Sequence, residues 1–295
     1  MSDAFKLTYS TMFNPPPELH ARFDAALAEF KHSGMGRDHP QWIDGAAAEG
    51  GERFEVRSPI DQDWLIGRFV QGSADDVDRA VQAARAAYPA WAATPWRERV
   101  ALLRRAARLI EERVYAISAA VAVEVGKNRM EAIGEVQETA DLIDWYADRM
   151  EEADGFDRPL ADDPLPNFKS HNRSVLRPYG VWAVIAPFNF PFALAGGPLG
   201  PALIAGNAAV VKCSPETSLS GWLLLECLRD AGLPPGVINF VTGGDTTGRA
   251  LAQHPDVAGI TFTGSHAVGM QVLRASAAGR YPKPCITEMG GKNAT

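Results

Sequence analysis

Residues 180–212, GVWAVIAPFNFPFALAGGPLGPALIAGNAAVVK, carry no Asp, Glu, Lys, Arg or His before the final lysine. A bilayer span needs only about 20 apolar residues, so length alone would permit one. The punctuation argues against it. Pro187, Pro191, Pro198 and Pro201 interrupt any single helix, and Asn189 and Asn207 are costly in hydrocarbon. The stretch parses instead as a buried strand at 181–186, a loop at 187–192, a helix at about 194–205 and a second buried strand at 208–212. Parallel strands covered on both faces read as continuous apolar runs, which makes this a βαβ unit.

The same rhythm continues. A helix at about 218–231 ends in a Gly-Leu-Pro-Pro-Gly turn. A strand at 237–241 precedes a Gly/Thr-rich loop and a short helix at 248–253. A strand at 259–263 meets Gly264-Ser265 and a helix at 267–277. The last strand, 285–289, runs into Gly290-Gly291. Five strands alternating with four helices predict an α/β fold: a doubly wound, parallel, five-stranded Rossmann-like sheet over residues 180–295.

Residues 1–165 read as an N-terminal segment followed by helices that pack on this core. Pro-rich MFNPPPEL precedes an amphipathic pattern at 17–30, then short strand patterns at 41–43, 53–56 and 61–70. Ser73 and Asp76 form a capping box with Asp in the usual Glu position, opening a helix that ends near Pro89. Thr94-Pro95 reads as a cap and first helical position. The helix region it opens buries Val100, Leu103, Ala107, Ile110, Val114 and Ile117 and presents its arginines to solvent. Gly126 ends it. Asn128 caps a helix over 130–150, with Ile133, Val136, Ala140, Ile143 and Tyr146 or Ala147 inward. Residues 154–166 form a loop, and 166–179 an exposed, protruding strand.

A net charge of −7 gives no nucleic-acid footprint. Three cysteines, Cys213, Cys227 and Cys285, have neither metal spacing nor an even count for a disulfide framework. The N-terminal residues contain no apolar signal region. Together these predict a cytoplasmic protein without metal, membrane or nucleic-acid partners.

Ligands of doubly wound sheets bind beyond the carboxyl ends of the strands, so the residues there matter most. Gly264, Ser265 and Gly269 stand where a strand becomes a helix; the pattern suits either a turn or a phosphate. Lys212, closing an apolar strand, either snorkels to solvent or meets an anion or hydroxyl. Asn189 is a turn amide or an oxyanion donor. Glu288, set beside Met289-Gly290-Gly291, is a surface carboxylate or a general base with a raised pKa.

Five segments in register carry a resemblance: Pro187-Phe-Asn-Phe-Pro191, Val211-Lys212, Leu233-Pro-Pro-Gly-Val237, Phe262-Thr-Gly-Ser265 with Gly269, and Thr287-Glu-Met-Gly-Gly-Lys292. Together they resemble the aldehyde dehydrogenase superfamily from about Ile43 onward. The resemblance implies that Asn189 is the oxyanion amide and Glu288 the base. It implies cofactor contacts, NAD or NADP, at Ile185, Phe188, Lys212, Phe262, Thr263, Gly264, Ser265, Gly269 and Met289. In such enzymes a cysteine thiolate attacks the aldehyde, hydride passes to NAD(P), and the base activates the water that hydrolyses the thioester. Glu288 favours oxidation to a free acid. Within the superfamily the chain is similar to 1-pyrroline-5-carboxylate (glutamate semialdehyde) dehydrogenases, through Glu124-Val-Gly-Lys-Asn128, the helix at 131–149, Phe188 in place of a common Trp, and Gly290-Gly-Lys-Asn293. On that helix Glu138 matches the acidic residue that approaches the substrate amine; a solvated helix face is the alternative.

Two features depart from the pattern. The superfamily often has Lys-Pro-Ser/Ala-Glu, whereas Lys212-Cys-Ser-Pro-Glu216 displaces the glutamate by one, leaving NAD and NADP both open. The family nucleophile lies a few dozen residues beyond the Glu, past Thr295, and Cys213, Cys227 and Cys285 read as buried hydrophobes. The expectation is a cofactor-binding portion that lacks the cysteine domain and the final intersubunit strand, and is inactive alone. It would act within a homo-oligomer or with a complementary C-terminal catalytic chain. The alternative is a non-catalytic dinucleotide-binding or interaction half-protein.

Overall fold

The computed structural model describes residues 11 and 13–291. Met12, Lys292 and Asn293, which belong to segments quoted above, lie outside the described residues. In chain order the elements are α1 (Pro17–Glu29), β1 (Arg37–His39), β2 (Gln41–Ile43), β3 (Ala46–Ala48), β4 (Arg53–Arg57), β5 (Leu65–Val70), α2 (Ala74–Ala93), α3 (Trp96–Glu112), α4 (Val114–Val125) and α5 (Arg129–Glu152). Then follow β6 (Asp157–Pro159), β7 (Arg173–Val175), β8 (Val181–Ile185), α6 (Ala193–Ile204), β9 (Ala208–Lys212), α7 (Ser218–Asp230), β10 (Ile238–Val241), α8 (Asp245–Gln253), β11 (Val257–Thr263), α9 (His266–Ala277) and β12 (Cys285–Glu288).

The five expected strands form one parallel array in the order β12-β11-β8-β9-β10. The chain order therefore reverses between β8 and β11, which opens a crevice at their carboxyl ends. Alternate residues of β8 and β9 serve opposite layers. Val181, Ala183, Ile185, Ala208 and Val210 face one apolar cluster with α2, α8 and α9. Trp182, Val184, Ala209 and Val211 face the other, with α3 to α7. All ten residues of these two strands are buried, which explains the uncharged run. Asn207, the polar exception before β9, accepts from the Tyr179 and Gly180 amides and donates to the Ala202 carbonyl. It ties the start of β8 to the end of α6. No helix among the described residues is long and apolar enough to cross a membrane.

Several local readings are corrected. The sheet has seven strands, because β2 joins β10 antiparallel and β3 joins β2; a three-residue strand gives no local sign of so distant a partner. Helix α2 continues through Pro89 to Ala93. Proline removes one ladder bond, and Trp91 beyond it anchors the extra turn by donating to the Leu203 carbonyl. Thr94 is no N-cap: its hydroxyl bonds back to Ala90, and Pro95 occupies the cap position. The helix region to Gly126 divides at Arg113, whose guanidinium pairs with Asp230 at 2.7 Å. Nor are the arginines simply solvated. Arg99 is buried and donates to the Thr94 and Ile204 carbonyls, and Arg104 pairs with Asp144, Asp148 and Glu151 on α5.

Candidate active site

A cavity of about 690 Å³ lies at the carboxyl ends of β8, β9 and β11, a volume usual for cofactor and small-molecule sites, roughly 300–1,000 Å³. Ile185, Phe188 and Asn189 form one wall; Lys212 stands at the end of β9; Phe262, Thr263, Gly264 and Ser265 form the opposite wall. Eight of the twelve residues singled out above thus share one cavity. Gly269 and Met289 stand behind it. A Cβ on Gly269 would lie 2.3 Å from the Met289 sulfur and 3.3 Å from the Phe262 ring. That glycine lets α9 approach the β12 end closely, and Met289 backs the Phe262 wall.

Lys212 is buried, and among the described residues its ammonium has no ion pair or hydrogen bond. Burial lowers its pKa, opposed by Glu216 and Asp245 nearby. A buried cation with no fixed partner leaves unmet hydrogen-bond donors at the cavity wall. Just beyond it the Ser214 hydroxyl donates to Glu216, which lines neither cavity.

The helix starts discriminate further. The first amides of a helix lack internal partners and attract anions. At α6 those of Phe192 and Ala193 are bound by Glu135; at α7 those of Leu219 and Ser220 are bound by Glu124. Helix α8 opens with Asp245. Helix α9 has no acidic residue in its first turn. Ser265 caps it by accepting from the Val268 amide at 3.3 Å, and Gly264 lies over the Phe262 ring, 2.6 Å from where a Cβ would be. Among the four helices that follow parallel strands, α9 is the one left open to a phosphate.

Asn189 and Phe188 are both exposed in the loop after β8. Glu288 is also exposed, because β12 is an edge strand with alternate residues turned outward. It lines a second cavity of about 630 Å³, with Thr261, Trp182, Leu194 and Asn207. Thr263 borders both cavities and pairs in register with Glu288. Glu138 is exposed on α5 and lines neither cavity.

The cysteines are not placed for attack. Cys213 is buried and its thiol is pushed up to about 12 by burial. Cys227 is buried on α7, its thiol up at about 11 for the same reason. Cys285, at the start of β12, lines neither cavity. Sequence reading missed Glu124 and Glu135 as buried anchors. The signal lay in helical register: Glu135 falls on the same stripe as Ala132, Thr139 and Ile143, three to four residues apart, so it had to face inward.

Comparison with known proteins agrees with this architecture. The chain is 36% identical over 279 residues to the 1-pyrroline-5-carboxylate dehydrogenase of Staphylococcus epidermidis, covering 92% of this chain and 53% of that protein. It is 39% identical over 262 residues to the N-succinylglutamate 5-semialdehyde dehydrogenase of Serratia proteamaculans, covering 87% and 51%. The structure of a Thermus 1-pyrroline-5-carboxylate dehydrogenase with bound NAD superposes with a TM-score of 0.89 at 30% identity, over 99% of this chain and 57% of that one. The chain spans about half the length of the curated relatives it matches. Residues 42–295, from within β2 through every wall of the cavity, match the aldehyde dehydrogenase family, and to that family the chain belongs.

Proposed function

We propose that this chain is the cofactor-binding part of an NAD(P)-dependent aldehyde dehydrogenase that oxidises glutamate 5-semialdehyde, the open form of 1-pyrroline-5-carboxylate, to glutamate. The observation that carries the reading is the switch-point cavity, which joins a buried, unpaired Lys212 to α9, whose start, alone among the four helices that follow the described parallel strands, is free of carboxylate. Lys212 would hold a ribose hydroxyl, and Gly264, Ser265 and the α9 amides the pyrophosphate. When bound, NAD(P) supplies the hydride acceptor. The Asn189 amide donates to the oxygen that gains charge as the aldehyde carbon becomes tetrahedral. Glu288 takes a proton from the water that releases the acid. The thiolate comes from polypeptide outside these residues, since Cys213 and Cys227 are buried and protonated and the half-buried Cys285 lines neither cavity. The 1-pyrroline-5-carboxylate dehydrogenases among the relatives support this substrate, and the N-succinylated semialdehyde of another relative is its competitor.

Calorimetry and turnover test this together. The chain is expected to bind NAD or NADP, with affinity falling about tenfold in Lys212→Met, and to produce no NAD(P)H from glutamate 5-semialdehyde. Binding of neither dinucleotide overturns the cofactor reading; turnover by the purified chain overturns the external thiolate. The same buried cysteines favour a second reading, a non-catalytic dinucleotide-binding partner. It would gain if a cysteine-bearing chain, added to form the complete site, restored no activity.

A further inference from the structure

Asn189 is an exposed side chain, yet an oxyanion donor must be fixed before the charge develops. The residues that follow it are held unusually firmly. Glu135 Oε1 accepts from the Phe192 amide at 2.8 Å and the Ala193 amide at 3.2 Å. Glu135 Oε2 accepts from Lys127 Nζ at 2.5 Å. The two side chains are 0% and 8% exposed. The Lys127 ammonium also lies 3.2 Å from the centroid of the Phe190 ring, an attraction strengthened by its removal from water. Lys127 reaches this place because Gly126, in a left-handed conformation with φ of 81°, turns the chain sharply between α4 and α5.

We propose that Glu135 and Lys127 are positioning residues: a buried carboxylate and ammonium that clamp the loop 187–191 from its C-terminal side and set the direction of the Asn189 amide. The inference rests on Asn189 being the oxyanion donor. Phe190 is pinned through its ring, Pro191 has a fixed φ, and Phe192 and Ala193 are pinned through charge-assisted hydrogen bonds. The chain is thus restrained at four successive residues after Asn189. A buried ion pair adds little stability over apolar residues of equal volume; what this one adds is direction. Glu124 provides an internal comparison, since it anchors the start of α7 by the same chemistry but serves the loop after β9 instead.

The test uses the full chain labelled with 15N-asparagine, the Asn189 side-chain amide resonance being assigned by its loss in Asn189→Asp. Glu135→Gln and Lys127→Met are each expected to shift or broaden that resonance. Glu135→Gln should also speed hydrogen exchange at Phe192 and Ala193 by about tenfold or more. Glu124→Gln should speed exchange at Leu219 and Ser220 and leave Asn189 where it is. An unmoved Asn189 resonance in both clamp variants overturns the proposal. So does an equal shift in Glu124→Gln, which would mark a general loosening of the fold. No step of this measurement needs turnover. Loss of dinucleotide binding with Asn189 responding as expected would therefore fail the catalytic reading and leave the clamp standing.

Discussion

Three hydrogen bonds favour the ionised form of Glu124, from the Leu219 amide at 2.8 Å, the Ser220 amide at 2.9 Å and the Ser220 hydroxyl at 2.5 Å. Burial outweighs them and raises its pKa from 4.5 to about 7. Between those values the folded chain holds a proton that the unfolded chain has released. The stability from this group is therefore complete below about pH 4.5 and lost as pH rises through 7, a share of about 3 kcal/mol. Urea unfolding from pH 5 to 8 is expected to show a steeper decline for the parent chain than for Glu124→Gln; equal slopes would remove Glu124 from the account. Residues of this kind were hard to read in sequence. Lys212 and Asn189 announced themselves as polar interruptions of an apolar run. Glu135 and Arg99 did not, because glutamate and arginine on helices usually face water, and their partners here are backbone groups remote in the chain.

At the scale of elements, the pairing of β8 with β11 sets the crevice. Gly259 lies opposite Trp182 in the parallel register, and a Cβ there would come within 2.1 Å of the indole. The ring cannot easily yield, since its Nε1 donates to the Thr261 hydroxyl at 2.9 Å. Gly259→Ala is expected to cost about 1–3 kcal/mol, read as a lower urea midpoint with loss of near-ultraviolet tryptophan signal. An unchanged midpoint would mean that the ring has room to move. The parallel strands were legible because full burial writes itself as an unbroken apolar run. The boundaries that failed, at Pro89 and at Arg113, were decided by tertiary anchors, Trp91 on Leu203 and Arg113 on Asp230. The glycine opposite Trp182 belonged to a recognisable strand, yet its steric reason appears only when the two strands are set side by side.

For the whole molecule, the two margins of the large sheet differ. One ends in the short β3, whereas β12 at the other carries an exposed Ile286 and borders the apolar second cavity. The β6–β7 hairpin adds exposed Val175, with Leu176 just beyond it. Surface of this kind favours association. Light scattering is expected to find the isolated chain in dimers or larger species, reduced by Val175→Lys with Leu176→Lys; a clean monomer for the parent chain would contradict this. The β3 margin has a consequence in time. The Asp44 amide, at the end of β2, bonds to the side chain of Asn239 on β10, 195 residues later. At about 5–20 residues per second of synthesis, that first strand waits roughly 10 to 40 seconds on the ribosome before the strand it pairs with has been made. Until then β2 and β3 have only each other to pair with, and that margin of the sheet cannot form before residue 241 has been synthesised.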